Sequence, residues 1–68
     1  MKKIKISTEY IKLDQFLKYA GVASNGGEAK FLISEGLAKV NGETELRRGR
    51  KLRVKDIVSF DGNEFVIV

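Results

Sequence analysis

A chain of 68 residues with no cysteine and no histidine has room for one modest core, and neither disulfides nor the usual zinc ligands can staple it. With 43% hydrophobic and 32% charged residues it is an ordinary globular mix rather than a disordered one. Thirteen Lys and Arg against nine Asp and Glu give +4, a balance that favours polyanionic partners but does not bear on fold.

From the N-terminus, Lys3, Ile4, Lys5 and Ile6 alternate, predicting a short strand over Lys2 to Ser7 with one basic and one apolar face. The opening stretch lacks the apolar run and cleavage site of a signal peptide, and no segment approaches the ~20 apolar residues of a membrane span, so a cytoplasmic protein is expected. Leu13, Phe16, Leu17 and Ala20 recur at i, i+3, i+4 and i+7, the stripe of a short helix that Gly21 ends. A second helix opens at Ser24 or Asn25, where Asn25 and Glu28 are spaced as a capping-box-like pair. Ala29, Leu32 and Ile33 form its buried stripe and Gly36 closes it.

The period then becomes alternating. Leu37 to Asn41 reads as a strand, Asn41-Gly42 as a hairpin turn and Glu43 to Leu46 as the return strand. Asp56 marks a turn, and Ile57 to Phe60 and Phe65 to Val68 form a last hairpin around Asp61-Gly62-Asn63. The expected architecture is α+β, a single unit over residues 1–68. Two short helices, helix-turn-helix-like, pack on a small antiparallel sheet. Phe65 to Val68 is apolar on both strand faces. Either the helices cover one face and the N-terminal strand or a loop the other, or the segment is an edge for self-association or partner docking.

Catalytic chemistry is poorly supplied. There is no His or Cys, the serines have no evident base, and Asp14 and Glu28 are explained as first-turn acids at helix starts. Asp61-Gly62-Asn63-Glu64 has neither the length nor the spacing of a calcium loop. No enzyme activity, metal or cofactor is expected.

Anion binding is better supplied. All four arginines, Arg47, Arg48, Arg50 and Arg53, lie in one segment with Lys51, and no acid falls between Leu46 and Lys55. Guanidinium forks suit phosphate. Ser24-Asn25-Gly26-Gly27 opens a helix whose free N–H groups and dipole favour anions, and Lys30 lies on the same face as Gly26. Lys12 stands at the start of the first helix. Lys55 reads as a turn residue. No surface aromatic platform is evident: Phe16 and Phe60 fit the core pattern, Tyr10 and Tyr19 are left open as residues that could stack on a base, and base-specific single-strand recognition has less support.

Lys12-Leu13-Asp14-Gln15-Phe16-Leu17, Ala20-Gly21, Ser24, Glu28-Ala29-Lys30, Ile33, Gly36 and Val40-Asn41-Gly42 resemble the ribosomal protein S4-type RNA-binding domain. Gly26 to Lys30, Glu45, Arg47-Arg48-Gly49 and Lys51-Leu52 look like its small stand-alone bacterial YaaA-type members. The resemblance implies an α-L motif over about residues 12–60, with structured RNA, ribosomal RNA foremost, as ligand and a ribosomal or other protein as a further partner. It places Lys12 and Lys30 at the family's basic positions and Asn41-Gly42 at a structural turn. The family's usual Arg-Arg pair after the second-helix Ser is replaced here by Asn25-Gly26-Gly27, where backbone N–H groups would have to substitute.

The expected site is therefore one basic face on which the arginine segment opposes Lys12, Gly26, Gly27 and Lys30. Phosphate and shape contacts would dominate over base reading. A protein adaptor docking an acidic partner shares this charge signature. Duplex DNA binding has less support, because the second helix carries few groove-reading side chains. A monomer is the default.

Overall fold

The computed structural model describes every residue from Met1 to Val68. In chain order the elements are β1 (Lys2–Ile4), β2 (Ile11–Lys12), α1 (Leu13–Tyr19), α2 (Gly26–Ser34), β3 (Ala38–Val40), β4 (Glu43–Thr44), β5 (Lys51–Leu52), β6 (Ile57–Phe60) and β7 (Asn63–Ile67). Five strands form one sheet in the order β1-β7-β6-β3-β4, and β2 and β5 make a separate two-stranded ribbon.

Both helices stop by the same device. Val22 N–H donates to the Leu17 carbonyl and Gly21 N–H to that of Lys18; Leu37 and Gly36 repeat the pair with Leu32 and Ile33. This Schellman arrangement needs a left-handed residue, and Gly21 and Gly36 supply it at φ +78° and +75°. The sheet's two tight turns share a device as well. Asn41 and Gly42 have φ +51° and +86°, and Asp61 and Gly62 have +48° and +79°. Positive φ at both central residues defines the type I′ turn, whose twist matches that of paired strands. Asn63 accordingly lies outside the turn and opens β7 opposite Phe60, so that strand begins earlier than the expected Phe65.

The N-terminal strand departs from expectation in length and in place. It is assigned only over Lys2–Ile4, although Ile6 N–H still donates to the Val68 carbonyl at 3.1 Å. It runs parallel to β7, with Lys2 opposite Phe65 and Ile4 opposite Ile67, so the sheet is antiparallel at every pairing except this one. The strand thus lies beside the C-terminal segment instead of covering its second face. β7 sits between β1 and β6, and the free-edge reading of Phe65 to Val68 falls.

β4 ends at Thr44, two residues before the expected Leu46, which is exposed. Glu45 N–H still reaches the Ala38 carbonyl at 3.0 Å, and its side chain, on the same face as buried Ala38, is itself buried.

The core joins Leu13, Phe16 and Leu17 of α1 and Ala29 and Ile33 of α2 to Ala38, Val40, Val58, Phe65 and Ile67 of the sheet, with Leu52 from the ribbon. Phe16 meets Phe65 edge-on, centroids 5.8 Å apart at 77°, a geometry worth about 0.5–1.5 kcal/mol beyond area burial. Leu32 and Phe60 are half-buried, and Phe31 is exposed. No helix is long and apolar enough to cross a membrane.

Candidate functional site

The ribbon organises the basic residues. Ile11 stands opposite Leu52 and Lys12 opposite Lys51. Side chains alternate along a strand and opposed residues share a face. Burial of Leu52 and half-burial of Ile11 therefore turn Lys12, Lys51 and Arg53 outward, with half-buried Tyr10 beside them. Their proximity agrees: the Lys51 ammonium lies 4.9 Å from the Tyr10 ring centroid and the Arg53 guanidinium carbon 5.7 Å from it. Two lysines directly opposed repel each other, at a cost of up to about 1 kcal/mol.

Helix α1 then anchors the arginine loop. Leu13 N–H donates to the Arg50 carbonyl at 2.8 Å and Asp14 N–H to the Arg48 carbonyl at 3.0 Å. These are the first free donors of the helix, so its start holds protein backbone and offers Lys12 alone to an anion.

Around this loop Arg47, Gly49, Arg50, Lys51 and Arg53 line an open concavity of about 530 Å³ with no hydrophobic residue in its wall. Glu45, 7% exposed, is buried against two of these arginines. One carboxylate oxygen accepts from the backbone N–H and Nε of Arg47, and the other from Arg47 Nη2 and Arg50 Nη1 at 3.1 and 2.8 Å. The Arg47 side chain, then that of Arg50, hold the carboxyl down from 4.5 to about 2 against the upward push of burial, with help from the Arg47 backbone N–H. Glu45 in turn raises the Arg47 pKa through its hydrogen bonds and charge. The acid-free run from Leu46 to Lys55 thus contains an acid in space, and two of the four arginines carry a partner.

Arg48 is exposed and makes no side-chain hydrogen bond or ion pair. Beside its contact with Tyr10, Arg53 has one ion pair, a 3.5 Å contact to exposed Glu9 of a class worth little in water. Lys55 has φ +83° and donates its N–H to the Ile67 carbonyl, so it belongs to the turn.

The start of α2 is more occupied than its sequence suggests. Asn25 Oδ1 accepts from Glu28 N–H at 2.8 Å, the expected cap. The return bond goes one residue further back: the Glu28 carboxylate accepts from the Ser24 N–H at 3.1 Å and from its hydroxyl. Ser24 and Asn25 are therefore engaged in the cap. Gly26 and Gly27 lie exposed at the helix start, and Lys30 is exposed one turn on. The one side chain near Gly26 is Lys18, whose ammonium lies 4.0 Å from where a Gly26 Cβ would be.

Two basic places result, one at each end of α1: the ribbon with its arginine loop, and the start of α2 with Lys18. Lys12 belongs to the first, across one strand pair from Lys51, and does not oppose the arginine segment from the far side. Lys18 and the Tyr10 contacts escape a reading by sequence, because neither position lies within reach of its partner along the chain. No three His, Cys, Asp or Glu side chains gather as a metal site.

Comparison with known proteins is consistent with this geometry. The S4-domain family model matches residues 4–68. The "Probable ribosome maturation protein RlbA" of Bacillus subtilis (strain 168) is 52% identical over 59 residues, covering 87% of this chain and 83% of its own length. YbcJ of Escherichia coli (strain K12) is 36% identical over 59 residues, 87% of this chain and 84% of its own. The solution structure of YbcJ from Escherichia coli, with an αL motif involved in RNA binding, aligns with a TM-score of 0.75 at 32% identity, covering 100% of this chain and 87% of that one.

Proposed function

The chain belongs to the S4-domain family, and on that premise we propose that it is a non-catalytic protein that binds structured RNA, ribosomal RNA foremost. The contacts are made to phosphates and to the shape of the RNA. The observation that carries this reading is the face of the ribbon, where Lys12 and Lys51 are directly opposed beside Arg53 and the arginine concavity. Repelling charges placed side by side find their compensation in a polyanion that bridges them. A paired RNA helix suits such a face, since its deep major groove hides the base edges and its phosphates remain accessible. The maturation role in the name of RlbA and the RNA-binding motif of YbcJ support the same ligand class and favour ribosomal RNA.

The test is a titration of the pure protein with a ribosomal RNA stem at several salt concentrations. A DNA duplex of the same sequence and a polyglutamate of matched charge serve as competitors. The reading predicts tighter binding to RNA than to either competitor, with affinity falling steeply as salt rises. Polyglutamate binding as tight as RNA would favour an adaptor for an acidic protein and overturn it. Nucleic acid that co-purifies with the protein, read from its absorbance ratio, and is removed by ribonuclease is expected only on the RNA reading.

A further inference from the structure

The two basic places are joined by a feature that phosphate contacts leave unused. Along the outer side of α1 runs an open groove of about 570 Å³, lined among others by Tyr10, Ile11, Gln15, Lys18 and Tyr19. Gln15, Lys18 and Tyr19 follow the i, i+3, i+4 spacing of one helix face. We infer that this groove receives one unpaired nucleobase of the bound RNA, stacked against Tyr19 and Tyr10. The inference rests on the RNA reading above and deepens it from paired RNA to RNA with a bulged or looped-out nucleotide.

Tyr19 is 63% exposed, yet its hydroxyl donates to the Lys5 carbonyl at 3.1 Å. The backbone holds the ring at one end and the hydrogen bond at the other, so little side-chain freedom remains to be lost on stacking. Tyr10 touches Lys51 and Arg53 and thereby connects the groove to the arginine wall. At the far end Lys18 reaches toward Gly26 and the start of α2. A strand whose phosphates engage both places crosses the groove between them. A paired base turns its edge, not its flat face, toward a protein surface, and only an unpaired base can offer that face to a tyrosine. Glu9, the one acid of the lining, is paired with Arg53, and the cations at both ends match a nucleotide better than an apolar peptide side chain.

Two RNA stems test this, identical except that one carries a single unpaired 4-thiouridine. The wild-type protein is expected to bind the bulged stem roughly tenfold tighter, the scale of one base–aromatic stack. Tyr19→Ala should lose that preference while keeping its affinity for the paired stem and its salt slope. Tyr19→Phe, which keeps the ring but lacks the bond to Lys5 that pre-orders it, should retain most of the preference. Irradiation of the wild-type complex supplies a measurement independent of variant folding, with the crosslink expected on the peptide carrying Tyr10 or Tyr19. Equal affinity for the two stems, a preference surviving in folded Tyr19→Ala, or a crosslink mapping elsewhere overturns the inference and leaves RNA binding standing. Failure to bind either stem overturns both.

Discussion

The Glu45 carboxylate grips Arg47 through both oxygens, accepting from Nε and Nη2 at 3.1 Å each, while one of them also holds Arg50. Arg47 remains mostly in solvent, its side chain 74% exposed, so the pair positions a guanidinium without hiding it. A buried acid inside a basic loop stops the arginines from repelling one another apart. It also sets how much of their charge is left for a ligand.

The first consequence is a pH effect. The Glu45 pKa is lowered from 4.5 to about 2, so its contribution is complete above about 4.5 and is lost as pH falls toward 2. Thermal melting followed from pH 6 to pH 2 should show the wild-type protein losing stability across that window. Glu45→Gln, already less stable at pH 6 by about 1–2 kcal/mol, should lose less. Parallel curves would remove Glu45 from the account.

The arginines should separate by their partners. Arg48→Ala removes an unpaired charge and should weaken RNA binding, lowering the magnitude of the log–log salt slope by about 0.7–0.9. Arg53→Ala should do nearly the same. Arg47→Ala and Arg50→Ala should weaken binding too, with a smaller change in slope, since Glu45 already neutralises part of their charge. An unchanged slope in all four variants would exclude phosphate contacts by this loop.

Lys12→Glu sets stability against binding. It converts the repelling pair with Lys51 into an attracting one, and it places an acid at the start of α1. The variant should unfold at higher denaturant, by roughly 0.5 kcal/mol, and bind RNA at least several-fold more weakly. Lower stability with unchanged RNA affinity would make Lys12 a fold residue.

Lys18→Ala and Lys30→Ala should each weaken RNA binding and leave the melting temperature within about 4 °C, because both side chains are exposed and neither forms an ion pair. A drop in stability without a drop in affinity would separate the start of α2 from the RNA-binding face.

Asn41→Ala should do the reverse. Its side chain accepts from Ile57 N–H at 2.9 Å and donates to Asp56 at 3.1 Å, and its backbone sits at φ +51°. Losing both bonds and an Asn suited to left-handed backbone should cost about 2 kcal/mol in urea unfolding. RNA affinity of the folded fraction should be unchanged.

What the sequence by itself determined was local. Helix stripes, the glycines that end them, the Asn25 cap and the two type I′ turns each depend on residues within a few positions of one another. Backbone sterics and side-chain spacing favour them locally. The family was legible for the same reason, through short motifs in order. The tertiary structure decided everything that joins distant segments. It placed β1 parallel to β7, from the opposite end of the chain, because two half-apolar strands bury more side by side than either does alone. It put Lys12 against Lys51, and it folded Glu45 back into a run that had read as purely basic. Tyr10 met Lys51 and Arg53 across the same ribbon, and Lys18 came to the start of α2. Coulomb and stacking interactions depend on distance in space, and a linear pattern carries no record of that distance until the core has closed.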